Sequence, residues 1–172
     1  MSYFAAAAAR GPAGWTAAEL DISGAADIEE VADALREVEP DAAVSLLFVE
    51  ADDTYLVILR LDEGEDLRVF GSDSGFAEES RIGTLLLGDI EVPALELDDA
   101  PPAADADPAS ERPAAEPDAD PVGDADLLAD LGVSAHRLLE LCAEEGMLPA
   151  DVTAEICQLL GCGDQVEELR EA

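Results

Sequence analysis

Asp98 to Gly123 reads DDAPPAADADPASERPAAEPDADPVG. It holds six of the ten prolines of the chain and not one Leu, Ile, Phe, Tyr or Trp. Proline fixes φ and removes a backbone donor, so it breaks both helix and sheet ladders. Eight carboxylates against one arginine repel one another and extend the segment. With nothing to bury, it predicts a disordered tether, up to about 80 Å long as polyproline II. The chain is thereby divided into residues 1–97, the tether 98–123, and residues 124–172.

The acidity is not confined to the tether. The 172 residues carry 42 Asp and Glu against 8 Arg and no Lys, for a net charge of −34. The three blocks contribute −17, −7 and −10 in order. A polyanion has almost no cations to place on phosphates, so direct nucleic-acid binding is excluded as a function class, and an anionic membrane repels it likewise. A basic protein would be attracted over a Debye length of about 8 Å. The start, MSYFAAAAARGPAGW, has no basic region ahead of its alanine run and does not read as a signal peptide. No run of about 18 apolar residues predicts a membrane span. Three cysteines, Cys142, Cys157 and Cys162, all in the last third, argue against a disulfide framework. These features together predict a cytoplasmic protein.

In the first block, SYFAAAAAR and GWTAAELDI flank the turn-forming Gly11-Pro12-Ala13-Gly14. An alanine run favours helix. The stretch before Gly11 is short for one, and the pattern is read as a β-hairpin. Ile28, Val31, Ala32, Leu35 and Val38 then recur at helical spacing, with Asp27 placed to cap and Pro40 to stop the helix. VSLLFVE, TYLVILRL and LRVFGSD read as three strands joined by short acidic turns, hence antiparallel neighbours. SGFAEESRIG reads as a short helix; TLLLGDI fits more than one assignment. The result is a two-layer α+β domain of order ββαβββα, with a mostly antiparallel sheet of about five strands.

Both faces of the central strands are apolar. Val44, Leu46 and Phe48 alternate with Ser45, Leu47 and Val49; Tyr55, Val57, Leu59 and Leu61 alternate with Leu56, Ile58 and Arg60. One helix covers one face, so the other requires the C-terminal block, a second copy or a partner. Leu47, Val49, Leu56 and Ile58 are the candidate residues of that second face.

The third block is helical. DADLLADLG ends at Gly132, Ser134 can cap AHRLLELCAEE, and Gly146 ends it. PADVTAEICQLL carries Pro149 in its first turn and stops at Gly161; DQVEELR opens on a capping pair, Asp164 and Glu167. A block of this size has a marginal core and should dock on something.

No catalytic constellation emerges. His136, Cys142, Cys157 and Cys162 lack metal-ligand spacing, and His136 to Cys142 is too far round a helix for a Cys–His nucleophile. Asp52-Asp53 and Glu63/Glu65/Asp66 are turn carboxylates without an EF-hand pattern. GSDSG, from Gly71 to Gly75, reads as a turn and N-cap in place of an anion site. No metal and no cofactor are expected, and the chain is not expected to be an enzyme.

Four stretches taken together, MSYFAAAAAR…GW, LLFVEADDTYLVILRLDEGEDLRVFGSD, the acidic Pro/Ala linker and DLLADLGVSAHRLLELCAEEGMLPADVTAEICQLLG, resemble the actinobacterial tRNA adenosine deaminase-associated proteins. The resemblance implies association with the deaminase that converts the wobble adenosine of tRNA to inosine. It defines no activity, and no functional residues carry over. This chain lacks the zinc motif of the deaminase itself, in keeping with an accessory role. An RNA-binding deaminase implies a basic surface for an acidic partner. The candidate contacts are the tether carboxylates Asp98, Asp99, Asp105, Asp107, Glu111, Glu116, Asp118 and Asp120. The competing reading is a homodimer or another protein-interaction module, built on Leu47, Val49, Leu56 and Ile58, with no physical link to the deaminase.

Overall fold

The computed structural model describes residues 3–51, 55–63, 65–72, 81–87, 122–143 and 148–171. Of the expected tether 98–123, residues 98–121 lie outside them while Val122 and Gly123 form a strand; residues 73–80, where the sequence reading places the start of a short helix, also lie outside.

The hairpin forms as expected. Strands β1 (Tyr3–Gly11) and β2 (Gly14–Glu19) are antiparallel, with Ala7 opposite Ala18 and Gly11 opposite Gly14. The alanine run is a strand because of where it sits. β1 lies between β2 and β3 and is covered on both faces, so Ala5 and Ala7 enter one core cluster while Ala6 and Ala8 enter the other. Small side chains let two helical layers approach one strand, and that packing overrides helix propensity.

Helix α1 (Ile28–Val38) begins at Asp27, whose carboxylate accepts the Glu30 N–H, and buries Val31, Ala32 and Leu35. Strands β3 (Val44–Ala51), β4 (Tyr55–Asp62) and β5 (Asp66–Gly71) follow as an antiparallel meander. Helix α2 occupies Arg81–Leu87, so part of the ambiguous TLLLGDI is helical. The Arg81 guanidinium donates to the Ser23 and Ala25 carbonyls and ties α2 to the loop before α1. The chain is α+β, and its order through α2 is the expected ββαβββα.

The C-terminal block supplies strand β6 (Val122–Gly123), a 3-10 helix (Ala125–Leu131), and helices α3 (Ala135–Ala143), α4 (Pro149–Leu160) and α5 (Gly163–Glu171). β6 pairs with β5 and completes a six-stranded sheet of order β2-β1-β3-β4-β5-β6. Gly123 has φ +92, and a Cβ there would lie 2.2 Å from the Val69 carbonyl oxygen, so only glycine fits. The Ser134 hydroxyl accepts the Arg137 N–H and caps α3, as expected. Gly161, at φ +101, ends α4; the Cys162 N–H returns to the Cys157 carbonyl, bringing these two residues together at the helix end.

The helices therefore lie on both faces of one sheet. α1 and α2 share a core with Leu47, Val49, Val57 and Leu59; the C-terminal helices share another with Leu46, Phe48, Leu56, Ile58 and Phe70. The two-layer expectation for residues 1–97 is extended to three layers, because the missing cover is the chain's own C-terminal block.

Candidate interaction surface

The antiparallel register sets Leu47 opposite Leu59 and Val49 opposite Val57, so Leu47 and Val49 face α1. Leu56 and Ile58 point the other way, beneath the C-terminal helices. The four do not share a face, and their exposures of 0, 0, 2 and 0% put them inside the chain. Adjacent-strand residues share a face only when they are directly opposite or displaced by an even number of positions, which is why the sequence pattern alone grouped them wrongly. A homodimer on the second face is displaced by the same finding: that face is already buried within one chain. The eight tether carboxylates Asp98, Asp99, Asp105, Asp107, Glu111, Glu116, Asp118 and Asp120 lie outside the described residues.

What the sequence reading passed over is Arg60, the cation that interrupts the apolar face of β4. It is 4% exposed. Its guanidinium donates to both carboxylate oxygens of Asp130, at 2.9 Å for the Nη2–Oδ2 contact, to the Leu127 carbonyl, and through Nε to Asp62 at 2.9 Å. Arg68 stands directly opposite on β5 and donates to Asp62 and Asp124 at 3.2 and 3.4 Å. Two facing cations are stabilised by three surrounding aspartates. The Asp130 hydrogen bond holds the Arg60 guanidinium more firmly protonated than usual, and the same bond holds the Asp130 carboxyl below the ordinary carboxylate range. Asp124 and Asp130 come from the C-terminal block, so this network fixes that block on the sheet. Its signal was present: an arginine on an apolar strand face, and an acidic opening to the C-terminal block.

The arginines are largely turned to internal use. Arg36 pairs with Asp33, Arg137 with Glu155, and Arg60, Arg68 and Arg81 bind as described. Among the described residues, the exposed charged side chains are mostly carboxylates. Along α1, Glu30, Asp33 and Glu37 line one wall of a groove of about 490 Å³ floored by Leu20, Ala34 and Val38. A second depression of about 430 Å³ meets it at Leu20 and is lined by Tyr3, Ala5, Glu19, Asp21 and Ser23. Asp21 is fixed there. Its carboxylate accepts from the Ser23 hydroxyl, the Ser23 N–H and the Tyr3 hydroxyl, and these bonds lower its pKa, the Ser23 hydroxyl most.

The thiols belong to the core beneath the C-terminal helices. Burial pushes the Cys142 thiol up to about 12, while a hydrogen bond with Cys157 lowers that of Cys162. His136 is exposed beside Glu140 at 3.2 Å. Among the described residues no group of three or more His, Cys, Asp or Glu is placed to hold a metal ion, and no helix is long and apolar enough to cross a membrane.

The fold and surface define an acidic α+β protein whose sheet is sealed on both faces by its own helices. Residues 3–163 match the family of Rv3753c-like tRNA adenosine deaminase-associated proteins, and the chain belongs to that family. No curated protein and no solved structure matches it.

Proposed function

We propose that the chain is a non-catalytic accessory protein that acts by direct contact with a tRNA adenosine deaminase. The family supports the identity of the partner. The observation that carries the mode of action is the internal use of the arginines: with Arg60, Arg68 and Arg81 committed to intramolecular bonds, a chain of net charge −34 presents a surface suited to a basic protein. The same surface repels RNA, so the contact competes with tRNA for the basic face of the deaminase and does not bridge to it.

Calorimetric titration of the full chain into the deaminase of the same organism tests this at about 50 mM and about 300 mM salt. Binding that weakens at the higher salt, and that tRNA displaces, is expected. The absence of heat at either salt with a folded, active deaminase would overturn it.

A further inference from the structure

We propose that the outer edge of β2, with the acidic groove between Leu20, just past its end, and α1, receives an extended basic segment of a partner protein as an added strand of the sheet. From the preceding reading it takes only that the partner is a basic protein.

β2 is the last strand on its side of the sheet, and no other strand among the described residues pairs with its outer edge. The Leu20 N–H donates inward to the Ala5 carbonyl. Antiparallel alternation then turns the N–H and C=O groups of Trp15, Ala17 and Glu19 outward, a ladder ready for another strand. Edge strands are commonly guarded by lysine, proline or a bulge. GWTAAE carries none of these, its register against β1 is continuous from Gly14 to Glu19, and Thr16, Ala17 and Ala18 are too small to screen the backbone.

The surroundings select the occupant. A strand laid along β2 directs alternate side chains toward the α1 layer, where the groove offers Leu20, Ala34 and Val38 below and Glu30, Asp33 and Glu37 on its wall. Asp33 already has Arg36 as partner, and Glu30 and Glu37 are exposed. An arginine or lysine beside an apolar residue matches that wall and floor. A second copy of this chain does not: its own β2 would bring Glu19 and another Glu30 and Glu37 into the same site, and each copy has a net charge of −34. Main-chain bonds would supply the attachment and the groove its selectivity.

The probe is acetyl-Arg-Val-Arg-Val-Arg-amide, titrated into the 15N-labelled full chain and followed by amide NMR. Saturable shifts are expected at Trp15 to Leu20 and along the Glu30 to Val38 face. The Ala17 and Glu19 amides should exchange with solvent about tenfold more slowly at saturation. Glu30→Gln with Glu37→Gln alters only exposed side chains and should weaken the peptide about tenfold. Ala17→Pro removes an outward donor and should abolish the added protection. Shifts that fall on the C-terminal helices or spread over the whole surface, no saturable shift, or binding unchanged in the double glutamine variant would overturn the proposal. No deaminase enters this experiment. A deaminase that gives no heat with a chain whose edge binds the peptide removes the proposed function alone; a deaminase that binds a chain whose edge is silent removes the strand-addition site alone.

Discussion

Beneath α1 the sheet is covered by a helix that starts nine residues after β2 ends; on the other face the cover begins only at residue 122, at the far end of the acidic Pro/Ala segment. The near cover is specified by an apolar stripe and one N-cap, with Val31, Ala32 and Leu35 inside and Asp27 at the start. The remote cover has a comparable apolar interior, but it also meets a buried cation at the strand it lands on. Arg60 joins the Leu127 carbonyl and Asp130 across the interface, and Gly123 brings β6 against β5 at a point where no side chain fits. A cover that arrives on a short loop has few ways to sit wrongly. One that lies far along the sequence from the strands it covers has many, and directional bonds at a single position favour one of them.

That contrast can be broken most severely through the core. Phe48→Ala, under the C-terminal helices, should cost about 4 kcal/mol, and Leu47→Ala, under α1, about 3 kcal/mol. Urea midpoints at unchanged slope provide the comparison. A Phe48 truncation costing under about 1 kcal/mol would mean that the remote cover is only loosely seated. Next in size is the cation. Asp62→Ala with Asp130→Ala leaves Arg60 buried without carboxylates and should cost about 3 kcal/mol, whereas Arg60→Met should change stability by under about 1 kcal/mol. Thermal unfolding of the two variants side by side separates the cost of an orphaned charge from the worth of the pair. Gly123→Ala should cost about 1–3 kcal/mol by straining the β5–β6 joint, with no comparable loss for Gly24→Ala, whose Cβ meets nothing within 4 Å.

The smallest effect is electrostatic. The Arg60 hydrogen bond holds the Asp130 carboxyl below its ordinary value of 3.8, so its contribution is fully present above about pH 4 and is lost as pH falls through the folded value. Its side chain is 63% exposed, and solvent screening holds that contribution below about 1 kcal/mol. Acid unfolding of Asp130→Asn should accordingly show a slightly shallower loss of stability below pH 4 than the parent, with the two curves parallel between about pH 5 and pH 7.

Most of the architecture was legible in the sequence because local rules agree with the tertiary outcome. Asp27, Ser134, Pro149, Gly132 and Gly161 each bound a helix where capping chemistry places a boundary. Apolar residues on both faces of VSLLFVE and TYLVILRL required two covers, and two covers are present. The parts that were not legible depend on register and distance. Assigning Leu47 and Val49 to the face of Leu56 and Ile58 needed the offset between β3 and β4, which alternation within each strand leaves open. Arg60 looked like an interruption of the pattern because two of its partners, the Leu127 carbonyl and Asp130, lie 67 and 70 residues away. The groove at the end of β2 combines Leu20, just after the strand, with Glu30 and Val38 of α1, an approach that no periodicity encodes.

Amide hydrogen exchange on the full chain tests most directly whether the remote cover and the sheet form one core. The slowest amides of α4 should exchange with the same opening free energy as those of β3 and β4, so that strands and C-terminal helices open together. Exchange of α3, α4 and α5 at a distinctly lower free energy, with β3 and β4 still protected, would contradict it.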